Sequence, residues 1–189
     1  MVPEGTTLWR LYFRGGEHPS AWNEFRRFGP LATARFDHHT MPRREQDRRA
    51  ILYAATKGTV CVAEVFQEMR IIDRHSRDPW LVAFALRSDV ALLDLTGLWP
   101  TRAGASTAIS SSEARSRTRH WSRNMWRAYP DIVGLSYASS MHGHDPAVAL
   151  YERAKSSLPE SPSLHLPLSH RRLSLPLRNL ADKLGYDLV

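Results

Sequence analysis

The stretch that most constrains the fold spans residues 51–69, ILYAATKGTVCVAEVFQEM, where a short apolar strand passes through a Lys57-Gly58 turn into a segment with helical spacing. A helix over residues 59–69 places Val62, Val65, Phe66 and Met69 on one face by the three-and-four rule. Glu64 falls nearly opposite that face, beside Val60 and Gln67. It therefore faces either solvent or a cleft, and periodicity alone leaves both open.

The other segments supply more strands than helices. LWRLYF at residues 8–13 reads as a strand with Trp9, Leu11 and Phe13 on one side and Arg10 and Tyr12 on the other. Residues 22–28 predict a single helical turn that Gly29-Pro30 ends, and residues 38–49, HHTMPRREQDRR, predict an exposed, mobile loop. Residues 80–86 and 90–95 form two strands, followed by a glycine- and proline-containing loop over 96–106. A helix over residues 112–129, capped by one of the serines 110 to 112, carries Trp121, Met125 and Tyr129 as its apolar stripe. Arg115, Arg119, Arg123 and Arg127 recur on another side of it as a basic ridge. Residues 132–138 and 147–151 are strands, LHLPL is an edge strand because proline has no N–H for an interior ladder, and residues 176–188 form a final helix with Leu177, Leu180, Leu184 and Leu188 on one side. Strands and helices do not alternate regularly, so the class is α+β in a single domain with a mixed sheet.

Composition narrows the function. At 189 residues and 42% hydrophobic content, the chain fits one domain with a sizeable core. The longest apolar stretch, residues 80–95, is interrupted by Arg87, Ser88 and Asp89, so it predicts no membrane span, and the N-terminus lacks a secretory pattern. A cytoplasmic location is expected, in keeping with a single cysteine, Cys61, read as a small core residue. Of 26 basic residues only Lys57, Lys155 and Lys183 are lysines, so the net charge of +7 rests on arginine. The planar guanidinium binds phosphates and carboxylates in a bidentate way, which suits a nucleotide or an acidic partner.

Phosphate-loop, dinucleotide-fingerprint, nucleophile-elbow and zinc signatures are absent, and neither His38-His39 nor His142-Gly-His144-Asp145 has the spacing of a known metal site, so no metal is expected. What stands out is an ordered set at strand ends: Arg10, Arg35, Tyr53, Glu64, and the Tyr137-Ala138-Ser139-Ser140 terminus. LWR, RFD, LYAA followed eleven residues after its tyrosine by the glutamate of AEVF, DLTG, GLSYASS and ALYERA together resemble the RES domain family, over residues 8–154.

The resemblance implies a fold similar to the ADP-ribosyltransferases and an enzyme that degrades NAD+ by releasing nicotinamide, with water or phosphate as acceptor. NAD+ is then substrate, not cofactor, and inorganic phosphate a possible co-substrate. It also implies a toxin whose partner is an Xre-like helix-turn-helix antitoxin. By motif, the resemblance assigns Glu64, Arg35, Tyr53 and Ser139 to catalysis, with Arg10, Arg35, Tyr53 and Ser139 binding the dinucleotide. Arg14 is an alternative to Arg10 and Ser140 to Ser139. Residues 1–154 then make the NAD+-binding catalytic domain, with the Ser/Pro-rich segment and C-terminal helix of 155–189 packed on it. Two other functions fit parts of the sequence: nucleic-acid binding along the basic ridge, and ADP-ribosylation of a macromolecule.

Overall fold

Bulky apolar residues at alternate positions make the principal strands. In the computed structural model, which describes residues 1–189, LWRLYF lies in β1 (Thr7–Phe13), followed by the two-residue strands β2 (Phe28–Gly29) and β3 (Arg44–Glu45), which pair with each other. β4 (Ile51–Ala55) leads into α1 (Gly58–Val65), and β5 (Ile71–Ile72) precedes β6 (Pro79–Ala85) and β7 (Leu92–Asp94). The short α2 (Trp99–Arg102) and the longer α3 (Arg115–Ala128) come before β8 (Gly134–Ala138) and β9 (Pro146–Tyr151). β10 (Leu164–Pro167), α4 (Ser174–Leu184) and β11 (Asp187–Leu188) complete the chain.

Seven strands form one sheet in the order β10-β6-β1-β4-β9-β8-β7. Its pairings are antiparallel apart from β7 with β8, so the domain is α+β with a mixed sheet, as the sequence predicts. β10 lies at the edge, where the missing N–H of Pro167 costs no ladder bond. The pleat sends Leu11, Ile51, Leu135 and Tyr151 to one face, where Val60 and Val62 of α1 and Leu177 and Leu180 of α4 cover them. Leu8, Leu52, Phe84 and Leu150 build a second, smaller cluster.

One joint in this sheet is weak. β1 pairs with β6 at seven positions and β4 with β9 at five, yet β1 and β4 share a single register pair, Trp9 with Ala55. At its other end β4 bonds to the backbone of Arg26 instead, through Arg26 N to Ile51 O (2.8 Å) and Ile51 N to Arg26 O (3.0 Å). The sheet is thus parted between its two halves. The parting opens a cleft with Arg10 and Leu11 on one side and Tyr53 on the other.

Several local expectations differ from the structure. α1 ends at Val65, and Val65 and Met69 are exposed, whereas Val60, Cys61, Val62, Ala63 and Phe66 are buried. The helix lies against β1, β4, β6 and β9 together, so its buried arc is wider than, and rotated from, the predicted stripe. Residues 22–28 form no helix; Phe25 enters the smaller core and Phe28 pairs with Glu45. The expected loop over 38–49 is anchored, with His38 and His39 0% exposed. α3 starts three residues later than predicted, with Ala114 at its N-cap and no serine cap, and Tyr129 is exposed. α4 stops at Gly185, whose φ of 65° suits a residue without Cβ, and Leu188 pairs in a strand with Ile72 rather than extending the helix.

Candidate active site

The RFD segment is held from behind by α3. Thr118 Oγ1 donates to the carbonyl of Arg35 at 2.6 Å, and Ser122 Oγ, one turn further along, donates to that of Phe36 at 2.8 Å. With its backbone fixed, Arg35 reaches the cleft while Nη1 donates to Glu113 O at 2.9 Å. Partial burial, and then the like charge of Arg115, lower the Arg35 pKa. Two guanidinium groups placed together favour an anion between them.

The cleft encloses about 840 Å³ and contains six arginines, Arg10, Arg26, Arg27, Arg35, Arg43 and Arg115, against three glutamates, Glu24, Glu45 and Glu64. Three of its polar atoms are buried without a hydrogen-bond partner, Arg10 Nε, the Tyr53 hydroxyl and Ser110 Oγ. Burial lowers the Arg10 pKa to about 10, with Glu24 partly opposing it, and raises that of Tyr53. Buried polar groups are ordinarily paired, so these orphans mark where a ligand's polar groups fit. Arg14, by contrast, lies over the Trp80 ring at 4.5 Å and does not line the cleft.

Glu64 sits in the cleft wall near the end of α1, half-buried. Its Oε1 accepts from Ser139 Oγ at 2.5 Å and from the Ser140 amide at 3.1 Å, and Oε2 has no protein partner. Ser139 Oγ in turn accepts from the amides of Met141 and His142, each at 3.1 Å. A hydroxyl with one proton and two lone pairs is thereby fully used. Ser139 is also buried, so it contacts Glu64 rather than the cleft's interior; of these two serines, Ser140 lines the cleft. The loop bearing them is tied down where Lys57 Nζ and His142 Nδ1 each bond Asp145 at 2.9 Å. No group of three or more His, Cys, Asp or Glu residues gathers to hold a metal.

Sequence reasoning did not single out Arg26, Asp37 and His39. Arg26 projects into the cleft while bonded to Asp37 Oδ2 at 2.9 Å and to Phe28 O. Asp37 is fully buried; burial would raise its pKa, but the His39 ring, the Arg26 charge and the Leu31 amide together hold it well below the carboxylate range. The order of RFDHH contains the signal, an acid two residues from a histidine, but only the fold brings Arg26 to it. Arg115, which the sequence places on the ridge, turns into the cleft as well.

The RES domain model matches residues 7–174, most of the chain. This protein belongs to the RES domain family. No curated protein sequence matches it. Among solved structures, a chain of the M. tuberculosis MbcT–MbcA toxin–antitoxin complex superposes with a TM-score of 0.59 at 14% identity, covering 97% of this chain and 90% of that one. At that identity the likeness concerns the fold alone. In this RES domain Glu64 and Ser139 are hydrogen-bonded to each other, and Arg10 and Arg35 line the same cleft.

Proposed function

We propose that this RES domain degrades NAD+ by cleaving the nicotinamide–ribose bond, acting in the cytoplasm as the toxin of a toxin–antitoxin pair. The observation that carries the reading is Glu64, fastened by Oε1 to Ser139 and Ser140 and free at Oε2, in a cleft lined by arginines and three unpartnered buried polar atoms. Scission builds positive charge on the ribose, and a fixed carboxylate stabilises that charge or orients the ribose hydroxyls. Because one oxygen is already held, Glu64 does not have to reorganise as the charge forms. Arg35 and Arg10 bind the diphosphate through charge-assisted hydrogen bonds, and Tyr53 directs its unpartnered hydroxyl to the nicotinamide end. Nicotinamide leaves as a neutral molecule, so no strong general acid is required. Water or phosphate then takes the ribosyl carbon.

The fold shared with a toxin–antitoxin complex supports an antitoxin partner, and family membership suggests an Xre-like helix-turn-helix protein. Incubation of the purified chain with NAD+, with and without phosphate, tests the reaction. Nicotinamide with ADP-ribose identifies hydrolysis, and nicotinamide with ADP-ribose-1″-phosphate identifies phosphorolysis. Intact NAD+ under both conditions refutes the reading. Labelled NAD+ should leave no label on protein or nucleic acid, which separates this reaction from ADP-ribosylation. Nothing favours nucleic-acid binding along the ridge, since Arg115 enters the cleft and Arg119 Nη1 donates to Ala32 O at 2.8 Å.

A further inference from the structure

Phe28 is 42% exposed, yet it lines the cleft on a backbone held from three directions. β2 pairs Phe28 with Glu45, Arg26 Nη1 donates to its carbonyl, and His39 Nε2 bonds the preceding carbonyl of Arg27 at 2.7 Å. The following residue is fixed too, because a Cβ at Gly29 would come within 2.6 Å of the buried His39 ring. A large apolar ring is normally exposed where the chain is free to move; here the chain is pinned and the ring still points into the opening.

The Arg43 guanidinium stands 5.0 Å over this ring. Its charge has no carboxylate partner, since the nearby Glu45 is taken by Arg27 Nη2 at 3.1 Å. An exposed aromatic face with an unpaired guanidinium on the same cleft rim suits a flat, electron-rich heterocycle, which stacks on the first and attracts the second. Glu64 projects from α1 and lines the same cleft, as do the arginines.

We infer that Phe28, with Arg43, forms the subsite for the adenine base of the dinucleotide and sets the preference for a dinucleotide over a mononucleotide substrate. The inference rests on the NAD+ reading above. Stacking contacts of this kind are worth about tenfold or more in binding. The test compares nicotinamide release from NAD+ and from nicotinamide mononucleotide, which lacks the adenosine, in the wild type, Phe28→Ala and Phe28→Trp.

Phe28→Ala should lower kcat/KM for NAD+ about tenfold through KM, leave that for nicotinamide mononucleotide within about twofold, and recover with Phe28→Trp. Equal losses on both substrates, or no loss on NAD+, overturn the assignment. A wild type that releases nicotinamide from neither substrate overturns the NAD+ reading itself, which distinguishes the two failures.

Discussion

The Tyr53 hydroxyl is buried and unpartnered, so it costs the free protein stability and is expected to recover that cost only when a ligand binds. Tyr53→Phe should therefore raise stability by about 1 kcal/mol in urea unfolding while lowering NAD+ cleavage. A loss of stability would show that the hydroxyl already has a partner. Ser139 makes the opposite case: every hydrogen-bonding position of its hydroxyl is used within the protein, on Glu64 and two amides. Ser139→Ala should reduce kcat about tenfold or more with little change in KM, because it leaves the carboxylate held by the Ser140 amide alone without removing a substrate contact. A rise in KM alone would place the serine on the substrate. Burial pushes the Cys61 thiol up to about 12, so it should resist alkylation at pH 8 until the protein unfolds. At this scale the resemblance of their motifs singled out Glu64 and Arg35, and both line the cleft. The sequence was not legible for Ser139, whose burial depends on a loop that closes through Asp145.

Among the elements, the segment joining β1 to β4 departs most from its polar sequence. His38 and His39 are buried because their partners come from distant places: Glu152 Oε2 lies 3.4 Å from His38 Nε2, and Arg27 O accepts from His39. A pattern-based reading sees HHTMPRREQDRR as solvated, since nothing local announces these partners. Burial lowers the His38 pKa to about 4, with Glu152 opposing the shift. Below an ordinary value of 6.5 the unfolded chain takes up a proton that the folded chain refuses, so stability is complete above about pH 6.5 and declines toward pH 4. The decline attributable to His38 is on the order of a few kcal/mol. Unfolding midpoints measured between pH 7 and 4.5 should show it, and His38→Gln should flatten the profile over that range. α1 shows a second limit of periodicity. Its stripe was predicted from a helix packed on one surface, but packing against four strands buries Val60 and Cys61 as well and leaves Met69 outside.

For the whole molecule, the decisive feature is the parting of the seven-stranded sheet between β1 and β4. The strands themselves were readable from alternation and turn residues, and so was the edge position of β10. Their order was not, because pairing joins residues as far apart in sequence as Ile51 with Tyr151 and Val82 with His165. The cleft follows from that order: it brings Arg10 and Tyr53, which lie mid-strand in β1 and β4 rather than at the strand ends the sequence predicts, to one opening with Glu64 of α1. No helix is long and apolar enough to cross a membrane. In the proposed reaction Glu64 Oε2 stabilises the ribosyl cation formed from NAD+. The most direct measurement is nicotinamide release by the wild type and by Glu64→Gln, alongside the unfolding midpoint of each. Glu64→Gln should stay folded and lose about 100-fold or more of the wild-type rate; release within a few-fold of wild type would contradict the claim.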